Sequence, residues 1–177
     1  MRVTDTDDRE FPAALAAALA APFDYADGEG VDFEPFAAFL SAEETTDWIR
    51  AWTGNGELDG DRFRVFGQDG TGGYAAFWLV RPGRALVDQP VVFLGSEGET
   101  GVAARDLGDL LWLLADGCAP GEAADRYGSS WASRPDPQLT AVAEQFAPDR
   151  RGSAAAVAKA AAAEFPGFDD TIRGLCR

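Results

Sequence analysis

The sequence predicts an α+β fold, an antiparallel meander of about four strands with N-terminal and C-terminal helices packed on it. Two observations carry this. Between Phe63 and Asp116, three short apolar, β-prone runs joined by glycine-rich acidic turns lead into a strongly amphipathic helix. On either side of that stretch, the apolar residues return to helical spacing and the expected capping residues stand at the segment ends. With 177 residues, 46% of them hydrophobic and 11% aromatic, the chain can bury roughly two thirds of its unfolded surface. It is read as a single domain over residues 1–177.

Pro12 suits the first turn of a helix, and Ala13 to Ala21 are strong helix formers with Leu15 and Leu19 on one stripe, ended by Pro22. Asp24 to Glu34 holds five acids with Gly28 and Gly30, the composition of a solvated loop. Phe33, Phe36, Phe39 and Leu40 return to helical spacing. Ser41 followed by Glu44 is a capping box opening a helix through Trp48, Ile49 and Trp52, which Gly54-Asn55-Gly56 stops.

Phe63-Arg64-Val65-Phe66 alternates, Tyr74 to Val80 is nearly continuous in β-formers, and Pro90 to Leu94 is a third run, with Val102 and Ala103 as the last strand across the turn Gly95 to Glu99. Asp106 to Asp116 reads as a helix with Leu107, Leu110, Leu111 and Leu114 on one face, expected to cover one face of the sheet. Gly117 is placed for its left-handed C-terminal residue, with Pro120 beyond. Residues 119–136 read as a long loop around Tyr127 and Trp131, followed by two helices, Pro137 to Phe146 and Ser153 to Phe165.

The chain has no histidine, which removes Ser-His-Asp and Cys-His catalysis and the commonest zinc and iron ligand. Cys118 and Cys176 stand far apart with no C-x-x-C spacing; free thiols are expected, with one long-range disulfide as the alternative. Gly67 to Gly73 precedes a strand and lacks the Lys-Ser/Thr ending of a phosphate loop, so it reads as a hairpin turn. Asn55, Glu57, Asp59 and Gly60 imitate the first half of a calcium loop, but Phe66 occupies the position of the bidentate acid. Neither a cofactor nor a metal is expected.

Thirty acids against 15 bases give a net charge of −15, with −11 carried by residues 1–80 and −4 by the remainder. Bare nucleic acid and anionic membranes are thereby disfavoured, whereas a basic protein is attracted. Solubility alone is the competing explanation of the charge. The N-terminus is acidic where a secretory signal would be basic, and the alanine run is too short to cross a membrane, so a cytoplasmic location is expected. Of five tryptophans, Trp48, Trp52, Trp78 and Trp112 sit in periodic apolar segments and are expected in the core; Trp131 is the candidate interface anchor.

Three segments in order resemble the SUKH superfamily, which includes fungal cell-wall synthesis regulators and bacterial immunity proteins: Phe66-Gly67-Gln68-Asp69-Gly70 with Gly73-Tyr74, Pro90-Val91-Val92-Phe93-Leu94-Gly95 with Gly98, and Val102-Ala103-Ala104 running into Leu107 to Leu114. The likeness covers about a third of the chain, centred on residues 63–116. Asn55-Gly56 stands where the family shows an Asn-Gly pair, while the family's Leu-Pro element is absent and the segment after Gly117 is long. The resemblance implies an antiparallel sheet flanked by helices and a role in binding a protein without turnover, as in immunity proteins that cap basic toxin domains. The expected contact surface is Asp59, Asp61, Asp69, Glu97 and Glu99, all at predicted strand turns that a meander would gather on one edge. The alternatives are a scaffold for endogenous regulators and a hydrolase using carboxylates alone.

Overall fold

A computed structural model describes residues 8–26, 30–125 and 133–177. Five strands form one sheet in the order β1-β2-β3-β4-β5, each antiparallel to its neighbours: β1 Glu34–Pro35, β2 Phe63–Gln68, β3 Tyr74–Trp78, β4 Val91–Leu94 and β5 Thr100–Ala104. The helices are α1 Ala13–Leu19, α2 Ala42–Thr53, α3 Leu107–Ala115, α4 Pro120–Ala124, α5 Pro137–Phe146, α6 Ala154–Glu164 and α7 Phe168–Leu175. The α+β meander is therefore present with five strands instead of about four. Among the described residues, no helix is long and apolar enough to cross a membrane.

Both faces of the sheet are covered, and this explains the near-continuous apolar strands. Along β4, Val91 and Phe93 face one cluster and Val92 and Leu94 the other, all four buried. The first cluster takes α1, the whole apolar surface of α3, and parts of α4 and α5; the second takes Ile49 from α2 with Phe168 and Ile172 from α7. Fully burying side chains such as Phe77, Leu110 or Ile172 contributes roughly 1.5–3 kcal/mol each. In β2, Phe63 and Val65 face the second cluster and Phe66 the first, and a bulge between Val65 and Gly67 shifts the pairing with β3. Trp78 and Trp112 are buried as expected, whereas Trp48 and Trp52 are partly exposed, Trp48 packing edge-on to Phe63.

The helix ends follow local chemistry. Ser41 Oγ accepts from the N–H of Glu44 at 3.1 Å while Glu44 returns a bond to the N–H of Ser41 at 2.8 Å, and α2 stops at Gly54 with φ +67°. Those bonds from Ser41 hold the Glu44 carboxyl below its ordinary value. Asp106, Asp136 and Ser153 cap α3, α5 and α6.

Three segments depart from expectation. The helical spacing over Phe33 to Leu40 yields β1 and an extended run beside β2, because Pro35 lacks a donor and forces the preceding residue out of helical geometry. The N–H groups of Phe36 and Leu40 reach the carbonyls of Phe66 and Val65 instead. Phe33 and Phe39 then enter the first cluster while Phe36 and Leu40 pack on the second. The segment 119–136, read as loop, contains α4, with Pro120 at its first turn. A third C-terminal helix, α7, follows the expected two, its Phe168 ring 4.9 Å from that of Trp78.

Candidate protein-interaction site

The acidic residues at one end of the sheet are fixed by their own turns. After β2, Asp69 Oδ1 accepts from the N–H of Thr71 at 3.0 Å, the hydroxyl of Thr71 at 2.8 Å and the N–H of Gly73 at 2.8 Å. This side chain replaces backbone partners in the turn, which also needs the positive φ of Gly72. Asp32 Oδ1 accepts from the N–H of Gly70 at 2.8 Å and staples the preceding loop to the same turn. In the neighbouring turn, Glu99 Oε2 accepts from the N–H of Glu97 at 3.1 Å, and the Glu99 side chain lies over Gly95, where a Cβ would meet it at 2.0 Å.

Antiparallel pairing places these two turns side by side, since Tyr74 at the start of β3 pairs with Leu94 at the end of β4. The helix α4 then closes over them. Gly101 of β5 and Gly121 of α4 permit the approach: a Cβ on Gly101 would sit 2.8 Å from that of Ala124, and one on Gly121 would sit 3.0 Å from the ring of Phe93. The result is a concave pocket of about 220 Å³ lined by Asp32, Asp69, Glu99, Glu122 and Asp125, with Phe93 among its walls.

Glu122 is half-buried, and that burial, reinforced by the charge of Asp32, raises its carboxyl above the ordinary value; a hydrogen bond from the Asp32 backbone and the charge of Arg134 oppose the rise without cancelling it. Arg134 Nη2 stands 3.6 Å from Glu122. Five carboxyl groups thus converge on one small concavity, with Arg134 set against Glu122. Among the described residues, no three or more acidic or sulfur side chains converge closely enough to hold a metal ion. Carboxylates spread around one concavity suit the guanidinium or ammonium of a basic side chain.

The expected five-residue acidic edge is split. Asp69, Glu97 and Glu99 share one end of the sheet, but Asp59 and Asp61 lie at the opposite end, where Leu79 at the end of β3 donates to the carbonyl of Arg62. There, Asp59 Oδ1 caps the N–H of Asp61 at 3.1 Å, and Gly60 donates to Thr46 of α2 at 2.9 Å. All five stand at strand turns, but successive turns of a meander alternate between the two ends of the sheet. Trp131 lies outside the described residues. Sequence reading passed over Asp32, Glu122 and Asp125; the signal for the last two was Pro120 at a helix start followed by acids on one turn. The calcium-like segment is a structural corner: Asn55 is buried, its amide donating to the carbonyl of Leu175 at 2.9 Å and its oxygen accepting from Glu57 at 3.1 Å.

No protein-family model matches this chain, and no curated protein or solved structure matches it either.

Proposed function

We propose that this protein is a non-catalytic binding module of the SUKH type, a bacterial immunity protein that works in the cytoplasm by capping the basic surface of a cognate toxin. The observation that carries the reading is the acidic pocket between the β2–β3 turn, the β4–β5 turn and α4, lined by five carboxyl groups. A toxin that cleaves nucleic acid must present Lys or Arg to phosphate. A rigid anionic concavity competes for those groups, and charge complementarity speeds encounter. The meander flanked by helices is compatible with the SUKH resemblance.

The test uses the toxin encoded beside this gene. Replacing Asp69 and Glu99 by Asn and Gln, together with Glu122→Gln, should slow association at low salt by about tenfold or more and flatten its salt dependence. Undiminished protection of toxin-expressing cells, with an unchanged salt slope, would sink the proposal.

A carboxylate-only hydrolase is the second reading, favoured by the raised carboxyl of Glu122 beside Asp32. It requires saturable turnover of a glycoside that disappears in Glu122→Gln.

A further inference from the structure

Three large apolar side chains are exposed among the described residues: Tyr25, Val87 and Phe146. Two of them, Val87 at 38% and Phe146 at 40%, belong to one groove of about 470 Å³. They come from different elements, a 3-10 turn at Leu86–Asp88 and the end of α5, both of which pack against α3. Leu107 and Leu111, one turn apart on α3, supply the apolar lining between them, with Ala14 of α1 and Pro148 completing it. The volume lies within the roughly 300–1,000 Å³ of binding clefts.

The walls are held in place. Arg150 bonds Asp106 at 2.8 Å and Asp109 at 2.8 Å, and the indole of Trp112 donates to the carbonyl of Ala147 at 2.7 Å. A groove fixed in this way loses little freedom when it is filled.

Charge selects the occupant. Asp88, Asp106 and Asp149 line the groove; Arg84 pairs with Asp88 at 3.7 Å, and Arg150, the base in the lining, is engaged by Asp106 and Asp109. Asp149 is exposed and has no side-chain partner among the described residues. A second copy of the chain, at net −15, would bring like charge to this rim. We infer that the groove docks a basic amphipathic segment of a partner protein, seating apolar side chains over Leu107 and Leu111 between Val87 and Phe146, with Lys or Arg reaching Asp149. The site lies at the N-terminal end of α3, whereas the acidic pocket follows its C-terminal end through Gly117 and α4. The inference therefore stands apart from the proposed function.

The test is a titration of the full chain, followed by amide NMR shifts, with a helical peptide of about twelve residues carrying Leu at i and i+4 and Lys on the flanks. Saturable shifts should be confined to residues 87–88, 106–111 and 146–150, and binding should weaken about tenfold or more in Phe146→Ser and with a Glu-flanked peptide. Asp149→Lys should weaken binding severalfold. Val87→Ser, on a separate element, repeats the test should Phe146→Ser fail to fold. The inference is overturned by no saturable shift, by equal binding of the Glu-flanked peptide, or by shifts centred on residues 69, 99 and 122. Concentration-dependent shifts at the groove without peptide would also overturn it, since they would make a second copy the occupant.

Discussion

Arg150 donates from Nη2 to Oδ1 of Asp109 at 2.8 Å, and Asp109 is 2% exposed, so the turn after α5 is tied to a carboxylate inside the fold. Arg105 Nε donates to the other oxygen at 2.7 Å, which strengthens the hold of Arg105 on its proton. Two partly exposed cations thus share one buried anion. Replacing either by Met should cost about 1–2 kcal/mol, because the remaining arginine still neutralises Asp109. The double replacement strands the charge and should cost about 3–5 kcal/mol, more than the two singles together. Strict additivity in urea unfolding would refute the shared-anion arrangement.

The split of the acidic turns gives an internal control for partner binding. Asp59→Asn with Asp61→Asn removes as much charge as Asp69→Asn with Glu99→Gln, but at the other end of the sheet. Only the second pair should slow association with the toxin about tenfold at low salt. Equal slowing by both pairs would mean that total charge, and not the pocket, does the steering.

Gly101 lets α4 lie directly on β5. In Gly101→Ala, the new Cβ would meet Ala124 at 2.8 Å and the Ala124 backbone at 2.9 Å, so α4 must shift. We expect a loss of about 1–3 kcal/mol in thermal or urea unfolding and weaker partner binding, because Glu122 and Asp125 ride on α4. A variant as stable as the parent would show that α4 is loosely held.

The raised carboxyl of Glu122 fixes the sign of a pH effect. Its folded pKa lies above the unfolded one, so the folded state binds the proton more tightly, and the stabilisation is fully present below the ordinary value of 4.5. It is lost as pH rises through the folded pKa. Glu122→Gln should therefore gain stability relative to the parent across that window and hold a constant difference above it. A difference that instead grows as pH falls would reverse the assigned cause.

Cys118 and Cys176 are both free thiols. Cys118 is 2% exposed and burial pushes its thiol well above the ordinary range, whereas Cys176 is partly accessible beside Ile172. A thiol reagent should consume one equivalent quickly and the second only at the rate of unfolding. Cys176→Ser should abolish the fast phase; its survival would place Cys118 at the surface.

The features legible along the chain are those that short-range chemistry controls. Ser41 and Glu44 start α2 and Gly54 ends it, Pro137 to Phe146 is α5 to the residue, and the runs at 63, 74, 90 and 102 are strands, because caps, φ limits and apolar period act within a few residues. Pro35 could have warned against a helix over 33–40, and the spacing of Phe168, Ile172 and Leu175 could have announced α7. Long-range packing is what makes Asp69 and Glu99 neighbours while Asp59 and Asp61 are not, brings Asp32 and Glu122 to them, and sets Val87 and Phe146 on one groove over α3. These pairings depend on strand direction and on helices closing over sheet ends. The contacts that reward them lie tens of residues apart, and no local periodicity records them.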